Sequence, residues 1–162
     1  MAVDLPGYGH SPTLEQYDIA GMAARVLDTL WSLPRHCAAR IAVVGHSMGG
    51  MVAQELVASA PREVDVLALM ATSPAFGRPD GAWQRDYLAQ RLAPLDAGRG
   101  LASVAPGLCK GMASANAQHD VVARAALLMM AVPEATYRSA LHAIIGFDRR
   151  DDLAALAIPV LC

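Results

Sequence analysis

The residues of this 162-residue chain best suited to chemistry lie together at Gly45-His46-Ser47-Met48-Gly49. A serine with glycine two positions away on either side is the G-x-S-x-G pattern. Its chemistry is nucleophilic attack on a carbonyl carbon, provided that the serine is held on a sharp turn between a strand and a helix. That context is predicted here. Residues 41–44 are apolar and rich in β-branched side chains, as in a strand covered on both faces, and the residues after Gly50 read as a helix that stops before Pro61. Such a turn calls for glycine at both flanks, because a Cβ at Gly45 or Gly49 is expected to meet the neighbouring strand or helix. It holds Ser47 Oγ at the carboxyl edge of a sheet. The free N–H groups of the following helix point at the same spot, so the Met48 N–H can stabilise a developing oxyanion.

Two other glycine-rich readings fail on their own chemistry. A phosphate-binding loop needs Lys and then Ser or Thr after its last glycine, and Met51-Val52 stands there instead. A dinucleotide fingerprint would start at Gly7-Tyr8-Gly9, but His10-Ser11-Pro12 follows, without a third glycine or a helix.

Periodicity supplies the elements that must position Ser47. Apolar residues at Ile19, Met22, Ala23, Val26, Leu27 and Leu30 predict an amphipathic helix, capped by Asp18 and ended by Pro34. Residues 64–71 predict a second buried strand running into Thr72-Ser73-Pro74, and strand, helix, strand in this order implies a parallel sheet. Residues 1–5 read as the end of a further strand before the Pro6-Gly7-Tyr8-Gly9 loop, and 158–162 as the opening of another. The expected fold is α/β with about four parallel strands. Between 75 and 156 only helical patterns occur, at 82–92, 100–112, 120–131 and 134–145, a stretch too long for a loop. The expected division is a core at 1–74, an inserted helical lid at 75–156 and a return strand at 157–162.

Taken together these segments resemble the α/β-hydrolase family, in the lid-bearing branch that includes esterases, enol-lactonases and carbon–carbon bond hydrolases. Asp4-Leu5-Pro6-Gly7-Tyr8-Gly9-His10-Ser11 resembles the family's loop after its fourth strand. Gly45-His46-Ser47-Met48-Gly49-Gly50 resembles its nucleophile elbow, residues 82–145 its lid, and Asp151-Asp152-Leu153 with Ile158-Pro159-Val160 the approach to the strand before the catalytic acid. The resemblance implies a serine hydrolase acting on an ester, lactone or related carbonyl compound through an acyl-enzyme on Ser47, without metal or organic cofactor. Acyl transfer, or ligand binding without catalysis, are the alternatives. It also implies an acid and then a histidine beyond Cys162, and a second oxyanion N–H before Met1. On this expectation the sequence resembles a hydrolase cut at both ends, carrying the nucleophile without its base.

The remaining candidates receive plainer readings. Of the histidines, His10 is a loop residue near a pocket rim, His46 points away from the reacting face, His119 pairs with Asp120 at a helix start, and His142 is a core or rim residue; His36 has no assigned role. Asp4 is structural, Asp80 lies too far past its strand to be an alternative acid, and residues 148–152 form a solvated, mutually paired surface. Apolar side chains of the helical segment, among them Trp83, Tyr87, Leu108, Met112, Leu128, Met129, Met130 and Tyr137, either line a pocket above Ser47 or pack between helices. Trp83 and Met129 are the pocket candidates.

Composition bounds the partners. There are 13 Lys and Arg against 15 Asp and Glu, a net charge of −2, with Lys110 the single lysine, so nothing provides a footprint for nucleic acid or anionic lipid. Cys37, Cys109 and Cys162 are scattered and form neither a disulfide framework nor a metal knuckle. The longest apolar run, 125–132, is too short to span a bilayer, and residues after Met1 lack the pattern of a leader. The expectation is a cytoplasmic protein with a small-molecule partner, whose interrupted sheet gives poor stability and a route to homodimer pairing.

Overall fold

The computed structural model describes residues 1–34, 40–77 and 81–162. His36, Cys37 and Asp80 lie outside the described residues. Among those described, the strands β1 (Ala42–His46), β2 (Val66–Met70) and β3 (Val160–Leu161) form a parallel sheet in the order β1-β2-β3. Ala42 stands opposite Val66 and His46 opposite Met70, while Leu67 and Ala68 face Val160 and Leu161. Helix α1 (Ile19–Ser32) precedes the sheet and α2 (Met48–Ser59) joins β1 to β2. Four helices then follow before β3: α3 (Ala82–Asp96), α4 (Gly100–Met112), α5 (His119–Met130) and α6 (Glu134–Ile145), with a 3-10 turn at Arg150–Ala155. They fall close to the predicted helical segments.

The local causes are visible. The Asp18 carboxylate accepts a 2.7 Å hydrogen bond from the Gly21 N–H and so caps α1. The buried residues of α1 include Ile19, Met22, Ala23 and Leu30, one face of the helix. Helix α2 is different: residues 50–57 are all buried, Gln54 and Glu55 included, because it runs between the strands and α1. Met22, Leu56, Val57 and Leu67 are the largest fully buried side chains. Each contributes roughly 1.5–3 kcal/mol through removal from water.

Two expectations about the sheet are corrected. Residues 1–5 do not form a strand, so among the described residues the sheet has three strands rather than about four. A strand exists by pairing, and a cleft of about 590 Å³, lined by Met1, Val3 and Leu5 on one side and Val43 and Val44 on the other, separates this segment from β1. Nor is β1 covered on both faces. Helix α2 packs on one side, while Val44 is 66% exposed and Met70 on β2 is 55% exposed.

The two ends of the helical segment are tied to each other. The Phe76 N–H donates to the Phe147 carbonyl at 3.0 Å and the Arg149 N–H to the Pro74 carbonyl at 2.6 Å. Ala75 and Asp148 form an antiparallel bridge between them. Residues 77–146 therefore leave and rejoin the body at one place. No helix among the described residues is long and apolar enough to cross a membrane.

Candidate active site

Ser47 sits between β1 and α2 with φ 51° and ψ −122°, a left-handed backbone that a non-glycine residue adopts at a cost of about 1–3 kcal/mol. The strain persists because its peptide groups are held. The Ser47 N–H donates to the Met70 carbonyl at 3.0 Å, across to the end of β2. Its carbonyl accepts from the Gly50 N–H at 2.9 Å, the Met51 N–H at 3.3 Å and the Thr72 hydroxyl at 2.8 Å. Ser47 is thus the residue that ends the strand and starts the helix, and its side chain stands exposed there. Met48 is the first residue of α2, where a backbone N–H has no acceptor within the helix.

The steric argument for the glycines holds at one flank and shifts at the other. A Cβ on Gly45 would lie 2.5 Å from the Gly49 carbonyl oxygen and 2.6 Å from the Gly50 Cα. A Cβ on Gly49 would meet nothing within 4 Å, contrary to expectation, since Gly49 faces the open cleft beside β1. The tight position is Gly50, whose Cβ would fall 2.5 Å from Thr72 Cγ2. Sequence reading missed Thr72. It braces the turn twice, through its hydroxyl on the Ser47 carbonyl and its methyl against Gly50, and the only sequence signal was its place just past β2. Gln54 adds a third brace, donating from Nε2 to the Gly50 and Ser73 carbonyls, each at 3.1 Å.

The other candidates lie elsewhere. His46 is exposed at the end of β1, His10 is exposed in the loop after Pro6, and His119 opens α5. His142 on α6 is exposed, which leaves the rim and removes the core from its reading as a core or rim residue. Among the described residues no imidazole hydrogen-bonds to Ser47 Oγ, and no three His, Cys, Asp or Glu side chains gather as metal ligands. The Asp4 carbonyl accepts from the Ser11 hydroxyl at 2.7 Å, closing its loop.

The run 148–152 is only partly the solvated patch expected. Arg150 does pair with Asp148, whose carboxyl it holds down at about 2 through hydrogen bonds to side chain and backbone. Arg149 instead reaches back to Glu55 on α2, with Nη2 to Oε1 at 2.5 Å and Nε to Oε2 at 2.7 Å, and also bonds Asp152 at 3.0 Å. A carboxylate as buried as Glu55 requires such a partner.

Trp83 and Met129, the two pocket candidates, lie on different helices, α3 and α5. Trp83 lies on α3 in a ring cluster with Phe76 and Tyr87, with centroids 5.2 Å away in each case. Met129 is half-buried on α5, which packs on α4. Met112 and Leu128 are 62% and 65% exposed and so are not packed between helices. A cavity of about 550 Å³ lies between α4 and α5, lined by Pro106, Lys110 and His119; Ser47 lines neither this cavity nor the cleft beside β1.

On the other side, the loop after Pro6 docks on α6. The Thr136 hydroxyl donates to the Gly7 carbonyl at 3.1 Å and the Tyr17 hydroxyl to the Pro6 carbonyl at 2.7 Å. Burial pushes the Tyr8, Tyr17 and Tyr137 phenols above the ordinary tyrosine value.

A profile described as the alpha/beta hydrolase family matches residues 1–161. The chain is 31% identical over 163 aligned residues to a pimeloyl-[acyl-carrier protein] methyl ester esterase of Aliivibrio salmonicida, covering 98% of this chain and 59% of that protein. It is 46% identical over 81 residues to a protein of the same description from Chromobacterium violaceum, covering 50% of this chain and 29% of that protein. Among solved structures, a hydrolase from Pseudomonas aeruginosa superposes with a TM-score of 0.77 at 27% identity, covering 96% of this chain and 57% of the other. The enol-lactonase from Burkholderia xenovorans superposes with a TM-score of 0.76 at 22% identity, covering 96% and 58%. The chain spans less than two thirds of the length of each of these proteins.

Proposed function

Because the chain belongs to the α/β-hydrolase family, we propose that it is the elbow-bearing part of a serine hydrolase that cleaves a carboxylic ester, lactone or related carbonyl compound through an acyl-enzyme on Ser47. The observation that carries this reading is the backbone of Ser47, strained at φ 51° and braced from β2, α2 and Thr72. Such strain at an exposed serine has no packing use. In this reading it turns Oγ outward at the start of α2, whose free N–H groups would hold the oxygen of an attacked carbonyl.

In this mechanism Ser47 Oγ adds to the carbonyl carbon as a base takes its proton, and the Met48 N–H holds the oxygen that becomes negative. Collapse of the tetrahedral species expels the alcohol, protonated by the same base, and leaves the acyl group on Ser47; water then repeats the sequence and frees the acid. The base, its orienting acid and a second oxyanion donor come, in this reading, from parts of the whole protein other than these residues. The segment 75–156 acts as a lid over the elbow, with 1–74 and 157–162 forming the core. The methyl ester esterases among the relatives support an ester as substrate.

The test is to mix the chain with a short-chain p-nitrophenyl ester in imidazole buffer, the imidazole standing in for the absent base, and to quench in acid before peptide mass analysis. The expected result is an acyl group on the Ser47 peptide that is absent from Ser47→Ala. Acylation elsewhere only, or none, overturns the reading. Added alcohol that takes up the acyl group faster than water would move the reaction from hydrolysis to acyl transfer.

A further inference from the structure

The cations of the described residues divide into three sets. Arg25, Arg40, Arg138, Arg149 and Arg150 each pair with a carboxylate. Arg62, Arg85, Arg99, Lys110 and Arg124 are exposed and solvated. Arg91 alone is half-buried with no ion pair among the described residues.

Its surroundings are built rather than incidental. The Arg91 guanidinium carbon lies 5.1 Å from the centroid of the Tyr87 ring, and Tyr87 is stacked on Trp83 at 5.2 Å with planes 21° apart. Phe76 closes the back of the stack, 5.1 Å from Tyr87 and edge-on to it. Burial raises the pKa of the Tyr137 phenol on α6, and the charge of Arg91 pulls it part of the way back. A guanidinium carries several N–H donors in a planar fork, and a ring face with one neutral hydroxyl leaves that fork largely unused. A planar carboxylate is the group that matches it in charge and shape. Trp83, 43% exposed, extends the apolar slab outward. In chain order the cluster comes after β2, whose last residue, Met70, accepts the Ser47 N–H; Phe76 lies between β2 and α3, which starts at Ala82.

We propose that Arg91, seated on the Tyr87–Trp83 stack, is a binding site for the carboxylate of a small molecule whose apolar body lies along Trp83. Resting on the hydrolase reading above, this makes the substrate one that carries a free carboxylate apart from the bond that is cleaved.

The test is direct binding to the full chain, read by Trp83 fluorescence in a Trp31→Phe background that leaves Trp83 as the reporter. Adipate and its dimethyl ester, at constant ionic strength, are the probes. Adipate is expected to give a saturable change and the diester none. Arg91→Gln should weaken adipate at least about ten-fold and Arg91→Lys by less, since a point charge survives without the fork, while Arg85→Gln on the same helix leaves it unchanged. No saturable response to adipate, an equal response to the diester, or equal affinity in Arg91→Gln overturns the proposal. Should Arg91→Gln fail to fold, as seen by circular dichroism, Arg91→Lys and the diester decide it. Acylation of Ser47 is scored separately: adipate binding without acylation retains the subsite and removes the hydrolase, and acylation without adipate binding does the reverse.

Discussion

Gly49 and Gly50 are adjacent, yet their tolerance to substitution should be opposite. Gly45→Ala and Gly50→Ala each force a Cβ into atoms 2.5 Å away and should cost at least about 2 kcal/mol in urea unfolding. Gly49→Ala meets open space inside a helix and should be neutral or stabilising by up to about 1 kcal/mol. Equal losses at all three positions would contradict the geometry. Tyr17 gives a pH test. Its phenol is raised above the ordinary 10.0, first by burial and then by Tyr8, so its protonated form favours the fold. That contribution is complete below pH 10.0 and fades as the pH rises beyond it, and Tyr17→Phe should flatten the alkaline decline. At neutral pH the same variant should cost about 1 kcal/mol for the hydrogen bond lost to Pro6. What was legible at this scale was contiguous: Gly45, Ser47 and Met48 fall within one short motif. The braces from Thr72 and the crowding at Gly50 were not, because both arise between residues far apart along the chain.

The helices were legible where periodicity and caps are local, as at α1 with Asp18 and Pro34. The covering of the strands was not, because apolar strand residues look the same in sequence whether a helix packs on them or not. Val44 shows the difference. The anchoring of the helical segment was equally hidden, since Glu55 and Arg149 are remote in sequence and the latter sits in an ordinary run of charges. Their pair fastens α2 to the place where that segment rejoins the body. Glu55→Gln should therefore cost about 2 kcal/mol, an order of magnitude set by stranding a half-buried guanidinium. It should also speed hydrogen exchange at the Phe76 and Arg149 amides, which bridge the two ends of the segment. Unchanged exchange there would show that the bridge stands without the ion pair.

At the scale of the whole molecule, one edge of the sheet, β1, borders an apolar cleft, and Val44 and Met70 present apolar surface to solvent. An unpaired strand edge beside exposed apolar side chains favours pairing between chains. The 162 residues taken alone should accordingly associate with rising concentration in light scattering. Val44→Lys should raise the monomer fraction, and a strictly monomeric chain with cooperative two-state unfolding would contradict this. The central claim concerns Ser47 and is tested most directly by intact-mass analysis after exposure to a fluorophosphonate, with and without imidazole as an external base. The account predicts a single adduct at Ser47 when imidazole is present, little or none without it, and none in Ser47→Ala. Absence of a Ser47 adduct in imidazole, or an adduct that persists in Ser47→Ala, would contradict it.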